Sequence, residues 1–408
     1  MSAELEPVPW QHPVDSAPRA IWDVLIVGAG PAGSIAAFHL AARGHAVLLL
    51  DKERFPRNKT CGDGLLSDAL RVLERVGLLR RVQQLGLPIH AASFFSPSRI
   101  ECELPWGYWT LKRRVLDTLI ARRAVEAGAY FCQGDVQKVV VTSNGLIACS
   151  TFGSGHVCHA RVGVIATGAN VNLPQKLGLV QPRQASGLAI RCYVRSQRSI
   201  DRMVISYDRS ITPGYAWIFP LGDYEYNVGC GIFYRGNARD RTDLKGMFRK
   251  FTTKFPLARA LLEDGEPISP LSGAFLRCGL TGACPTGANN LLAIGEAIGA
   301  TFPATGEGIG KAMETAEVAA EVIDDTLRSG DARRLRRFPD RLEEELRFRY
   351  LGYEAAERWL SMPWLVDLVA RRARTSKFLQ EAIAEIINET ADPRTVFSLG
   401  GMIKSFCQ

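Results

Sequence analysis

The sequence predicts an α/β fold in which a mostly parallel, nucleotide-binding sheet is interrupted by a separate antiparallel sheet and followed by a helical region. Three observations carry this. A strand, a G-x-G-x-x-G loop, a helix and a second strand ending in an acid succeed one another between Ile21 and Glu53. Residues 186–231 alternate in polarity and are rich in β-branched and aromatic types. From residue 332 onward the pattern is helical, with aromatic and basic residues.

In the first unit, Val24 to Val27 is an apolar run suited to a buried parallel strand. Gly28 makes the tight turn after it, Gly30 lets a pyrophosphate approach the backbone, and Gly33 lets helix and strand pack closely. The small residues from Ala32 to Ala42 form the helix, and its free N–H groups and dipole favour phosphate at its start. A second strand, Ala46 to Leu50, ends in Asp51, where a carboxylate can accept from ribose hydroxyls. A dinucleotide is therefore expected here.

The 408 residues suffice for two intimately joined domains, and 47% hydrophobic with 23% charged residues is the composition of an ordinary soluble protein. The net charge of +8 is concentrated in Ala332–Arg349 and Ala370–Lys377, where Arg and Glu interleave as on a solvated helix face. No nucleic-acid partner is expected from this pattern. Ten cysteines are scattered without a C-x-x-C pair, which predicts free thiols in a reducing cytoplasm and no metal site. Residues 1–19 are Pro-rich and predicted to be a loose arm. No stretch is long and apolar enough to cross a membrane, so any contact with lipid is expected to be peripheral.

Along the chain, Pro56, Gly62 and Gly64 punctuate a loop, and Cys61 within it reads as a proton donor, a cofactor contact or a small filler. A helix is expected over Leu65–Val76, sheet over Ala91–Trp109, and a helix carrying Arg113 and Asp117 after that. Antiparallel strands joined by the Asn144-Gly145 turn then lead to the strand Val162–Ala166. Tyr215, Trp217 and Phe219 alternate on one strand and so share a face, either as the wall of an apolar tunnel or as sheet core. Residues 242–263 read as one helix, Leu291–Ile294 as a buried strand, and Gly306 opens a long helix of small residues. The expected division is 20–90, 110–185 and 280–330 for the nucleotide-binding domain, 91–109 and 186–279 for the substrate sheet, and 331–408 for the helical region.

Three segments resemble the geranylgeranyl reductase family of FAD-dependent oxidoreductases, relatives of flavin monooxygenases built on the hydroxybenzoate hydroxylase plan. They are the glycine loop with DKERFPRNKTCGDGL, the stretch PGYAWIFPLGDYEYNVGCG, and GEAIGATFPATGEGIGKAM. Glu296 stands where the family usually has Asp, and Phe302-Pro303 where it has Asn-Pro. The resemblance implies a Rossmann-type FAD-binding domain, an interleaved antiparallel substrate domain and a C-terminal helical region. It implies FAD contacts from Gly28, Gly30, Ala32, Gly33, Asp51, Lys52, Lys59 and Cys61. Gly62, Arg113, Val136, Glu296, Gly306, Gly308 and Ile309 complete that set.

The implied activity is reduction of prenyl carbon–carbon double bonds in a lipid or lipid-like molecule. NAD(P)H or reduced ferredoxin would supply the electrons, the latter as a protein partner. An isolated alkene is a poor electrophile, so an acid must assist, and Cys61 and Tyr215 are the candidates. The same architecture also hosts monooxygenases and halogenases of aromatic or polyketide natural products. Flavin halogenases resemble W-x-W-x-I-P where this chain has YAWIFP, which counts against that branch. A flavin-bound electron carrier is the non-catalytic reading, and the aromatic substrate sheet argues against it.

Overall fold

The computed structural model describes residues 8–18, 20–153, 155–181, 185–212, 214–234, 243–280 and 290–407. Residues 1–7 of the expected arm, Pro213 and Cys284 lie outside them. Two sheets organise the chain. The first is ordered His12–Pro13, Tyr130–Gln133, Val47–Asp51, Ile21–Val27, Val157–Ile165, Ile147–Thr151, Val136–Val141, with Leu291–Ala293 also beside Val157–Ile165. Its central strands are parallel and fully enclosed, from Val24 to Ile26 and from Val47 to Leu50, as expected of strands covered on both faces. The helix Pro31–Ala42 covers one face with small side chains. At Gly28, φ is +103°, and an added Cβ would lie 2.4 Å from the Ala166 carbonyl oxygen. At Gly33 it would lie 1.8 Å from the Gly28 carbonyl oxygen, so glycine alone permits the approach of helix to loop.

The second sheet is ordered Gly265–Pro267, Gly187–Ser196, Glu225–Phe233, Tyr215–Gly222, Met203–Ser206, Leu87–Phe95, Glu101–Thr110, Gly64–Leu65, and Ser272–Leu276 pairs with Gly187–Ser196. It is mostly antiparallel, with one parallel pair between Met203–Ser206 and Leu87–Phe95. One face carries Ala216, Ile218, Val228 and Cys230 into a core with Leu244, Phe251 and Leu261. The other face is left for the site.

Three expectations need correction. Residues 8–18 are no loose arm: Val8 and Val14 are buried and His12–Pro13 adds an edge strand against Cys132–Gln133. The helix expected over 242–263 is two, Leu244–Lys254 and Pro256–Glu263. Phe255 between them is extended, at φ −80° and ψ 122°, because the proline ring crowds a helical residue before it. The substrate sheet also extends past the expected 91–109, beginning at Leu87. Cys61, Cys102, Cys132, Cys149, Cys158, Cys192, Cys230 and Cys278 are free thiols, and among the described residues there is no metal-binding cluster and no helix apolar and long enough to cross a membrane.

The C-terminal helices Phe338–Leu360, Pro363–Ala373, Lys377–Ile387 and Leu399–Cys407 are fastened to the first domain by a buried ion cluster. Lys311, on the helix Ile309–Ser329, is wholly buried and lies 3.3 Å from Asp68, 2.8 Å from Glu314 and 2.7 Å from Glu389. Arg349 reaches Glu314 at 3.1 Å and Glu389 at 2.8 Å, and Arg71 reaches Glu389 at 3.0 Å. Elsewhere the basic stretch pairs at the surface, as Arg341 does with Glu321 and Arg347 with Glu343.

Burial alone would raise the Glu314 carboxyl, but Lys311 and Arg349 outweigh it and hold it below its ordinary value. Its contribution to stability is therefore complete above the usual carboxylate range and is lost as pH falls through the depressed value. Lys311→Met should destabilise the fold by roughly 3–5 kcal/mol at neutral pH, because it leaves three buried carboxylates facing one another. The loss should shrink in acid, where those groups protonate. Thermal midpoints of both proteins between pH 7 and pH 4 check this, and equal midpoints at neutral pH would refute it.

Candidate FAD site and the apolar cavity beyond it

One continuous cavity of about 840 Å³ runs from the glycine loop, between the two sheets, to the C-terminal helices. Gly28, Gly30 and Ala32 border it at the first helix start, and Asp51 and Lys52 at the end of the second strand. Lys59, Cys61 and Gly62 border it from the following loop, Arg113 from the start of the helix Arg113–Glu126, and Val136 from the start of the strand Val136–Val141. Glu296, Gly306, Gly308 and Ile309 border it at the later helix. Gly33 does not reach the cavity, since its place is against Gly28.

The cofactor implied by the sequence fits these residues. Two helices, Pro31–Ala42 and Ile309–Ser329, start on this cavity with Gly30 and Gly308 as caps, and neither glycine can satisfy the first amides with a side chain. The first start suits a pyrophosphate, and the second suits the electron-rich end of a reduced isoalloxazine. Asp51 accepts N–H bonds from Ala29 at 2.8 Å and Glu53 at 2.9 Å, which aims its carboxylate at the loop, where ribose would lie. Burial raises this carboxyl, with Arg57 pulling it back.

A chain of ion pairs leads from there towards the reacting end. Arg57 lies 3.8 Å from Asp51 and 3.0 Å from Asp117. Asp117 accepts two bonds from Arg113, at 2.7 and 2.9 Å, and Arg113 in turn interacts with the Cys61 side chain. Arg113 is only 7% exposed, so it is part of the site and not a surface charge. Burial raises the Glu296 carboxyl, and Lys59, Arg113 and Arg277 offset this.

The loop carrying Cys61 is held by residues the sequence reading passed over. Asp63, buried and at φ 66°, accepts from the Arg113 amide at 3.1 Å, Tyr193 Oη at 2.8 Å and Asn227 Nδ2 at 2.8 Å. Asn227 also donates to the Cys61 carbonyl at 2.7 Å and accepts from Trp217 Nε1 at 2.9 Å. Arg191 donates to the Lys59 carbonyl at 3.3 Å. The polar residue after C-G was the only local signal, because its partners lie far along the chain.

Tyr215, Trp217 and Phe219 face the cavity together, with centroids 5.9 and 6.3 Å apart in sequence. Tyr215 Oη donates to the Thr305 carbonyl at 2.5 Å, so in this arrangement its proton holds the Phe302–Gly308 loop. Phe302, where the family carries Asn, turns away and stacks on Tyr353 with centroids 4.1 Å apart. Beyond the aromatic strand the cavity is bounded by Leu365, Val366, Val369 and Ile383, a role for the C-terminal helices that the sequence pattern did not announce.

The described FAD binding domain family matches residues 22–150. Menaquinone reductase of Mycolicibacterium smegmatis is 32% identical over 74% of this chain and 76% of its own. The chain belongs to the geranylgeranyl reductase family of FAD-dependent oxidoreductases. Digeranylgeranylglycerophospholipid reductase 2 of Methanopyrus kandleri, another relative, is 29% identical over 79% of this chain and 83% of its own. A geranylgeranyl bacteriochlorophyll reductase-like protein of Thermoplasma acidophilum shares the fold with a TM-score of 0.75, at 22% identity over 95% of this chain and 96% of that one. A flavin-dependent brominase also has a TM-score of 0.75, at 20% identity over 95% of this chain and 98% of its own. These two structures speak to the fold alone. The chain is thus an FAD-dependent oxidoreductase, with the mixed architecture the family implies.

Asp63 gives the site a sensitive point. Asp63→Ala removes the acceptor shared by three donors from both domains and should weaken FAD binding about tenfold or more, each lost buried hydrogen bond costing about 1–3 kcal/mol. Flavin fluorescence titration of apoprotein checks this, and wild-type affinity would show that the loop orders itself without the carboxylate.

Proposed function

We propose that the protein reduces carbon–carbon double bonds of a prenyl, geranylgeranyl-type lipid or isoprenoid. The observation that carries the reading is the continuity of the cavity: a polar end built for a dinucleotide opens into a long apolar end walled by aromatic and aliphatic side chains. The relatives named above, reductases of menaquinone and of digeranylgeranylglycerophospholipid, support a substrate with a polyprenyl tail.

Bound and reduced, FAD supplies a hydride; the protein does the rest. Asp51 and the first helix start hold the dinucleotide, and the amides at Gly306–Ile309 favour the charge of its reduced form. Trp217 and Phe219 pack the chain of the substrate and exclude water. Cys61 is proposed to touch the reacting end, with Arg113 fixing its side chain, and Tyr215 to keep the facing loop in place. NAD(P)H or reduced ferredoxin is proposed as the external reductant. Peripheral docking on a lipid surface is proposed for the outer C-terminal helices, which carry the exposed Trp364, Leu399 and Ile403 together with the exposed cations Arg371 and Lys404.

The deciding experiment is anaerobic. Reduced flavoprotein mixed with a geranylgeranyl lipid should reoxidise, and the lipid should gain two hydrogens per bond. Silence here, with oxygen uptake and a hydroxylated product under air, would replace the reductase by a monooxygenase. Cys61→Ala should lower turnover at least tenfold while FAD retention changes little; undiminished turnover would make Cys61 a filler.

A further inference from the structure

We infer that Glu307, which stands between the cradle glycines Gly306 and Gly308 and borders the cavity, is the acid that delivers the proton to the substrate double bond. The inference rests on the reductase reading above and names the group that reading requires. Of the two acids the sequence offers, Tyr215 has its proton on the Thr305 carbonyl. The Cys61 side chain faces the Arg113 guanidinium, itself clamped by Asp117. Glu307 is a third; it borders the cavity, and its surroundings raise its carboxyl above the ordinary value.

The surroundings can be counted from each element packed against it. Its own segment contributes the Thr305 side chain, which hydrogen-bonds the carboxyl, and Lys311 one turn on. The helix Ser67–Arg75 contributes Asp68, and the turn after Lys377–Ile387 contributes Glu389. From the substrate sheet and the C-terminal helices come Tyr108, Tyr207, Tyr215 and Tyr353, each of whose phenols feels the Glu307 charge. The cations nearby are already matched: Lys311, Arg349 and Arg71 face the three carboxylates of Asp68, Glu314 and Glu389. A fourth negative charge has no partner left. Burial, followed by the Asp68 and Glu389 charges, accordingly pushes the Glu307 carboxyl well above its ordinary value.

The chemistry balances with the reductant already named. As the π bond breaks, the carbon bearing hydrogen takes the Glu307 proton, and electron deficiency falls on the branched carbon. A hydride with its electron pair, from reduced FAD, closes that carbon. The Lys311 charge offsets only part of the cost of the carboxylate left behind, which regains a proton from water after product leaves. Tyr207 and Tyr215, with centroids 6.0 Å apart, offer ring faces to the passing positive charge.

Two readouts test this. In infrared spectra of the holoprotein at pH 7, a protonated-carboxyl C=O band that shifts in D2O should be present and should vanish in Glu307→Gln. Anaerobic reoxidation of the reduced enzyme by the geranylgeranyl lipid should slow roughly 100-fold or more in Glu307→Gln. FAD affinity and reduction by dithionite should match the wild type. Glu307→Ala should regain part of the rate with added acetate, and the wild-type rate should fall as pH rises through the elevated carboxyl value. A wild type that reduces the lipid while Glu307→Gln keeps its rate, or a holoprotein without the band, overturns the assignment. A wild type that never reacts with the lipid overturns the reductase reading, and this proposal with it.

Discussion

The buried carboxylate of Asp63 is the point on which the two sheets agree. It takes one donor from the helix that follows the substrate-sheet hairpin and two from the far strands of that sheet, and it does so from a left-handed backbone position in the cofactor loop. Burial raises this carboxyl, and the hydrogen bonds from Asn227 and Tyr193 oppose the shift. A carboxyl with three donors aimed at it cannot move without stranding them, so the loop from Lys59 to Gly64 is fixed relative to the substrate wall. Bimolecular chemistry between a cofactor and a substrate depends on such fixing, because small displacements of the reacting atoms cost large factors in rate.

The parallel unit was legible because its physics is local. Strands covered on both faces are uninterrupted apolar runs, and a glycine that touches a carbonyl 1.8 Å from its missing Cβ has no substitute. The order of strand, loop, helix, strand and acid could thus be read directly, and so could the one-faced alternation of Tyr215, Trp217 and Phe219. The partners of Asp63 could not, since Tyr193 and Asn227 lie 130 and 164 positions away. Spacing alone showed Arg113 as a charge on a helix, and only the family resemblance placed it at the cofactor; that it is buried follows from Arg57 and Asp117, which approach from a loop and from its own next turn. The break at Phe255-Pro256 was printed in the sequence, yet continuous apolar spacing on either side masked it.

The C-terminal helices illustrate a different limit. An amphipathic pattern states that a helix buries one face but not against what, and here the buried faces of Pro363–Ala373 and Lys377–Ile387 close a cavity. Leu379, Ala382 and Ile386 also join the core of the first domain, and a polar cluster adds to that packing. The ion cluster around Lys311 joins four segments, and such clusters cost desolvation that only a complete set of partners offsets. Its value lies in orientation: every carboxylate has a fixed cation, so the helices dock in one way.

That docking reaches the cofactor cradle through a single loop. Phe302 accepts the Gly306 amide at 3.2 Å and donates to the Glu307 carbonyl at 2.8 Å, which folds the segment into a compact turn. Tyr215 grips Thr305 from the substrate sheet, while Tyr353 stacks on Phe302 from the C-terminal helices. Replacing the Asn of the family by Phe therefore exchanges a polar group for an anchor between that turn and the helices that bound the apolar end. The amides of Gly306 to Ile309 and the walls of the apolar end of the cavity are held by the same few contacts. The turn therefore answers to two elements at once, to the C-terminal helices through Tyr353 and to the second sheet through Tyr215.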